Sequence, residues 1–194
     1  MTTIDEALER LKTGHQKYLD GEPLAAPSVE QLRDLAENGQ HPFAIVVSCS
    51  DSRVVPELIF HAQIGDIFVI RTAGQVVSEI EMGSIQYAVD HLGTRLVVVL
   101  GHTHCGAVQG ACESHHDCGK CLAALLSIVE PSVEAAKTQC CNDKDLVARA
   151  EDLNIKAAME TIANDAILKE IADLHIVGAK YDIASGKIVY WKTL

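Results

Sequence analysis

The chain has 194 residues, enough for one domain with a well-buried core and too few for two of ordinary size. Hydrophobic residues make up 48% and charged residues 22%, as in globular proteins, and a formal net charge of −11 argues against nucleic acid or anionic membrane as a partner and for a small substrate. No apolar run approaches the ~18 residues that cross a bilayer, and Met1 to Asp20 is polar and acidic, unlike a secretion signal, so a cytoplasmic location is expected.

Thr3 with Glu6 forms a capping box, and Ile4, Leu8, Leu11, His15, Tyr18 and Leu19 then recur at helical spacing until Gly21. Ser28 with Gln31 opens a second helix, for which Gly39 is the stop. Residues 1 to about 40 thus read as a helical arm with an apolar face that must dock on something. The unbroken apolar run Phe43-Ala44-Ile45-Val46-Val47 predicts a strand over about 43–48, of the kind found in parallel sheets covered on both faces. A short helix at 56–60, a turn at Gly65-Asp66 and a strand at 67–71 follow. Ser78 with Glu81 is a third capping box, opening a helix with Ile80, Ile85, Ala88, Val89 and Leu92 inward and Gly93 at its end. A strand over 96–100 completes a βαβ unit, which implies a parallel sheet and a right-handed crossover.

From Cys121 to Ala172 the pattern is helical, with breaks expected at Pro131 and near Asn142-Asp143. Strands over 175–179 and 187–191, joined through Ser185-Gly186, predict an antiparallel edge. The expected fold is α/β: a central, mostly parallel sheet of four parallel strands plus an antiparallel edge strand, flanked by helices, in a single domain spanning 1–194.

Seven cysteines, an odd number, in a reducing compartment point to metal binding, chemistry or packing and not to a disulfide framework. Two stretches carry the chemistry. Ser48-Cys49-Ser50-Asp51-Ser52-Arg53 follows the first strand, and Gly101-His102-Thr103-His104-Cys105-Gly106 follows the third. The carboxyl edge of an open α/β sheet is where ligands bind, so Cys49 can meet His102 and Cys105 there despite their separation in sequence. Two thiolates and an imidazole suit zinc, and three ligands leave the fourth tetrahedral position to water, whose pKa zinc lowers from ~16 toward ~7. Asp51 is the expected proton acceptor. Arg53, two residues on, can hold it ionised by a bidentate pair and keep it off the metal; without that pair Asp51 is itself a possible fourth ligand.

Cys49-Ser50-Asp51-Ser52-Arg53 and His102-Thr103-His104-Cys105-Gly106 resemble the Cys-x-Asp-x-Arg and His-x-x-Cys-Gly motifs of the β-class carbonic anhydrases. Pro56 to Phe60, Gly65 to Arg71, Gly83 to Val89 and Val177 to Asp182 are also similar to that family. The resemblance implies reversible hydration of carbon dioxide to bicarbonate by an obligate dimer, with zinc on Cys49, His102 and Cys105 and a catalytic dyad of Asp51 and Arg53. It implies that Gln40 hydrogen-bonds substrate across the dimer interface, that Phe68, Ala73 and Tyr87 line an apolar carbon dioxide pocket, and that the backbone of Gly106 faces substrate. Val46 stands where bicarbonate-regulated members carry tryptophan, which favours the open subtype, and Thr72 and Gln75 stand where many members have asparagine.

Two other functions share these residues: a hydrolase for carbonyl sulfide or carbon disulfide, and a non-catalytic zinc-binding or redox-responsive protein. The second draws only on Cys112, His115, His116, Cys118 and Cys121, whose spacing matches no zinc module and reads better as a surface loop between helices. His104, between two ligand positions, is a candidate proton relay.

Overall fold

The computed structural model describes residues 2–113, 118–139 and 142–191. Five strands, β1 (Ala44–Cys49), β2 (Ile67–Thr72), β3 (Leu96–His102), β4 (His175–Tyr181) and β5 (Ile188–Tyr190), form one sheet in the order β2-β1-β3-β4-β5. The first four are mutually parallel and β5 is antiparallel to β4, as expected. All residues of β1 and β3 are buried, which explains their unbroken apolar sequence. Val47 is opposite Val99 and Ser48 opposite Leu100, so the two strands end together at the sheet's carboxyl edge.

Alternation along these strands divides the core in two. Ile45, Val47, Val97 and Val99 face α4 (Glu79–His91) and α7 (Asp143–Ala163) through Ile85, Ala88, Val89, Ile155, Met159 and Ile162. Ala44, Val46, Leu96, Val98 and Leu100 face α1 (Ile4–Leu19) and the segment around α3 (Pro56–Ile59) through Ala7, Leu11, Ile59 and Phe60. Each fully buried Val, Leu or Ile contributes about 1.5–3 kcal/mol. A third cluster joins Cys49 and Cys105 to α5 (Gly106–Cys112), α6 (Lys120–Lys137) and α7 through Val108, Leu126, Val129, Val133 and Ala150. This cluster roofs the carboxyl edge of β1 and β3.

Thr3–Glu6, Ser28–Gln31 and Ser78–Glu81 all form the anticipated capping boxes. The helix opened by Ser28, α2 (Val29–Asn38), ends on Gly39 at φ 80° and buries none of its residues, leaving Val29 and Leu32 exposed. Three expectations are corrected. Ile80, expected inward, is 77% exposed, because it lies in the first turn of α4, before the turns whose Ile85, Ala88 and Val89 carry the face toward the sheet. Pro131 does not break α6: it sits on the solvent side with its fixed φ already helical, while Val129, Ser132, Val133 and Ala136 stay buried on either side of it. The last long helix stops at Ala163 and not at Ala172, since the Asp165 carboxylate accepts the N–H groups of Ile167 and Leu168 and turns the chain. Among the described residues no helix is long and apolar enough to cross a membrane.

Candidate metal centre

Cys49 is the last residue of β1, His102 the last of β3, and Cys105 the N-cap of α5. Between the latter two, His104 adopts φ 57°, a left-handed turn that reverses the chain within two residues. The ligand atoms of Cys49, His102 and Cys105 lie within 4.8 Å of one another and all three residues are buried; among the described residues they form the one such group able to hold a metal ion.

His102 Nδ1 lies 2.9 Å from the carbonyl oxygen of Thr103. A carbonyl only accepts, so Nδ1 carries the proton and Nε2 presents a lone pair. That Nε2 is buried without a hydrogen-bond partner. Leaving such an atom unpaired costs about 1–3 kcal/mol, a cost that a cation between the two sulfurs would remove. The two thiols act on each other: the Cys105 thiol hydrogen-bonds Cys49 and pulls its pKa down, whereas the Cys49 thiolate, aided by burial, pushes that of Cys105 up. Burial opposes charge on His102, but the neighbouring Cys49 sulfur and the Thr103 carbonyl outweigh this and raise its pKa. A divalent cation replaces the protons that these groups would otherwise share. The donor set is therefore the right one for a thiophilic metal with a fourth position open.

Asp51 and Arg53 flank this position. Arg53 donates from Nε to Oδ1 at 2.9 Å and from Nη2 to Oδ2 at 2.7 Å, and its backbone N–H reaches Oδ1 at 2.9 Å. This guanidinium holds the Asp51 carboxyl well below the usual carboxylate range. Asp51 Oδ2 lies 3.9 Å from His102 Nε2, so the carboxylate borders the donor set while committed to arginine. Arg53 Nη2 also reaches the carbonyl of His104 at 3.1 Å, tying the two motif loops together.

Several supporting residues lie outside both sequence motifs. Gly74, at φ 71°, donates its N–H to Cys49 Sγ at 3.2 Å, and a Cβ there would meet Ala107 Cβ at 3.1 Å. Asn154 of α7 in turn donates to the Gly74 carbonyl. Arg71 bridges the carbonyls of Cys49, Asp51 and Val54 at 3.1, 2.7 and 2.8 Å, fixing the loop after β1. Glu151, paired with Lys180, accepts the Cys105 N–H. Polar residues such as Glu151 and Asn154 on the otherwise apolar face of α7 were the one available clue.

The remaining sequence candidates are spread out. Ala73 adjoins Gly74 beneath Cys49, and Gly106 begins α5 with nothing within 4 Å of an added Cβ. Phe68 and Tyr87 pair with each other, ring centroids 6.2 Å apart, and Tyr87 is 47% exposed. Phe68 stands opposite Ile45, four residues before Thr72, the partner of Cys49; that is about 13 Å down the strand from the donor set. Gln40 is exposed after α2. Cys112 closes α5 and Cys121 lies in the first turn of α6, as anticipated, whereas His115 and His116 lie outside the described residues.

The sequence profile of the family described as carbonic anhydrase matches residues 44–188, which include both motif loops and every strand of the parallel sheet. The chain belongs to the β-carbonic anhydrases. Carbonic anhydrase 2 of Mycobacterium tuberculosis is 37% identical over 194 residues, covering 94% of this chain and 90% of that protein. The carbonic anhydrase of Mycolicibacterium smegmatis is 33% identical over 192 residues, again covering 94% and 90%. A solved structure from a study of two tetrameric β-carbonic anhydrases of Sordaria macrospora superposes with a TM-score of 0.76 at 28% identity, over 94% of this chain and 92% of that one. As a β-carbonic anhydrase the chain carries its Cys-His-Cys group where β1 and β3 end side by side.

Proposed function

We propose that the chain is a zinc-dependent carbonic anhydrase, a lyase that interconverts carbon dioxide and water with bicarbonate and a proton in the cytoplasm. The observation that carries this reading is the unpartnered lone pair of His102 Nε2 facing two thiols, beside a carboxylate that arginine keeps occupied. Zinc, held by Cys49, His102 and Cys105, would act as the Lewis acid that acidifies a coordinated water at neutral pH.

The chain's own residues supply the rest. Asp51 remains ionised at any physiological pH because of Arg53, so its Oδ2, with a lone pair beyond the one bonded to Nη2, can accept a hydrogen bond from the attacking water and orient it. The same two-point grip prevents Asp51 from turning into the fourth ligand position. Arg53 and the backbone of Gly106, the first residue of α5, are assigned to the bicarbonate formed. Phe68, Ala73 and Tyr87 are assigned to the carbon dioxide pocket, and Gln40 to a hydrogen bond with substrate across the dimer interface. Since Phe68 and Tyr87 lie well below their own donor set, this assignment requires a second subunit to bring them there, in a homodimer or larger homo-oligomer. In the arm formed by residues 1 to about 40, α1 packs on its own sheet, and the exposed apolar side of α2 supports docking of that part of the arm on the partner.

Stopped-flow carbon dioxide hydration, with zinc quantified, tests the proposal. The expected result is one zinc per chain, with activity lost on chelation and restored by zinc. Fully loaded protein without hydration activity would refute it. Sulfide release from carbonyl sulfide, with no carbon dioxide hydration, would assign the sulfur analogue instead.

A further inference from the structure

Glu151 is a carboxylate in an expensive place: it lies on α7 with 3% of its surface exposed. Both oxygens are engaged, but not with the donor set. Oε1 accepts the backbone N–H of Cys105 at 3.1 Å, and Oε2 pairs with Lys180 Nζ at 2.9 Å. Lys180, on β4 opposite Gly101, also donates to Asp152 Oδ1 at 2.8 Å and to the carbonyl of Ala148 at 3.1 Å. The Cys105 N–H precedes the first turn of α5, so no helical carbonyl is available to it. Glu151 is the acceptor that the fold provides.

We infer that Glu151, anchored by Lys180, is a positioning residue for the metal ligand Cys105, an inference that rests on the zinc reading above. Cys105 hangs between the tight turn at His104 and the start of α5, and rotation of its peptide would swing Sγ away from Cys49 Sγ and His102 Nε2. The bond to Glu151 fixes that peptide from the far side. A carboxylate serves better than a neutral group because it accepts the N–H strongly while its second oxygen is clamped to β4. Lys180 has a further role. A bare carboxylate next to two thiolates would repel them, and the ammonium cancels its charge. The geometry thus transmits the position of α7 and β4 to a ligand that neither element contributes, in the way outer partners orient metal ligands elsewhere.

The test compares the full-length parent with Glu151→Ala, Glu151→Gln, Lys180→Met and the double variant Glu151→Gln/Lys180→Met. Zinc affinity is measured by chelator competition, and ligand geometry by the thiolate-to-metal charge-transfer bands of the cobalt(II)-substituted proteins. Glu151→Ala is expected to weaken zinc binding about 10- to 100-fold and to alter the cobalt bands. Glu151→Gln, which keeps an acceptor for the Cys105 N–H, should recover most of the affinity and the parental bands. Lys180→Met should weaken zinc binding when residue 151 is Glu but not when it is Gln. A Glu151→Ala protein with parental affinity and bands overturns the inference, as does a Gln variant as weak as the Ala variant. If Glu151→Ala does not fold, the dependence of the Lys180→Met effect on residue 151 decides alone. A parent that binds no zinc refutes the carbonic anhydrase reading itself, and is thereby distinguished from failure of this one.

Discussion

Gly101, the residue before His102, is expected to be intolerant of even one added methyl group. A Cβ on Gly101 would lie 2.4 Å from Ile155 Cγ1 and 2.5 Å from Cδ1. Carbon atoms ordinarily approach to about 3.5–4.0 Å, so Gly101→Ala demands that Ile155 or β3 retreat by about 1 Å or more. Ile155 cannot move freely, since it is fully buried in the core cluster between the sheet and α7. Overpacking of this kind costs about 1–3 kcal/mol, equivalent to about 2–4 °C in Tm per kcal/mol for a domain of this size. Urea unfolding of the metal-free proteins measures the cost without a contribution from metal binding. Ile155→Ala alone should destabilise by about 2–5 kcal/mol through the cavity it leaves. Combined with Gly101→Ala it should cost about 1–3 kcal/mol less than the two single effects together, since each change makes room for the other. Because His102 is the next residue, the single Gly101→Ala protein should also bind zinc more weakly. A Gly101→Ala protein as stable as the parent, or strictly additive effects in the pair, would refute the reasoning.

Arg53→Ala should lower carbon dioxide hydration by about 100-fold or more, because the freed Asp51 carboxylate turns onto the metal; a crystal structure still showing water in the fourth position would count against this. The pH dependence of stability has a definite sign. Arg53 lowers the Asp51 pKa, so the pair's contribution is complete above the unfolded value of ~3.9 and fades as pH falls toward the folded one. The stability difference between parent and Asp51→Asn in urea should therefore be flat from neutral pH to about 5 and shrink below about 4, whereas growth on acidification would contradict it. Gly14→Ala should loosen α1 from the α3 segment, as its Cβ would lie 1.9 Å from the Phe60 carbonyl oxygen; a loss of about 1–3 kcal/mol or more in urea unfolding is expected, and parental stability would refute the contact.

The central strands were legible because burial on both faces leaves an unbroken apolar run, as in Ala44 to Val47 and Leu96 to Leu100. The helix starts were legible because Thr3, Ser28 and Ser78 each sit three residues before Glu or Gln. Periodicity alone could not place Ile80, since it marks an apolar residue without saying whether the sheet extends far enough to cover it. Nor could composition show that the flanks of Pro131 would hold α6 together. At the site, the donor triad and the Asp51–Arg53 pair stood out because each falls directly after an apolar strand. Their supports did not. Gly74 acts through a backbone amide, and Arg71, Glu151, Asn154 and Lys180 act through contacts spanning tens of residues, for which no local pattern exists.

The placement of Cys49 at the end of one strand, His102 at the end of its neighbour and Cys105 just beyond has a topological consequence. A cation gripped by all three encloses roughly fifty residues of chain, among them the whole of β2 and α4, in a closed ring. In the denatured chain such a ring would be a severe restriction, as a disulfide across the same span would be. Such an ion would fasten β1 to β3 in the middle of the sheet and leave β4 and β5 outside the ring, so that removing it should lower the stability of the whole sheet through the loop it frees while both strand pairings keep their own hydrogen bonds.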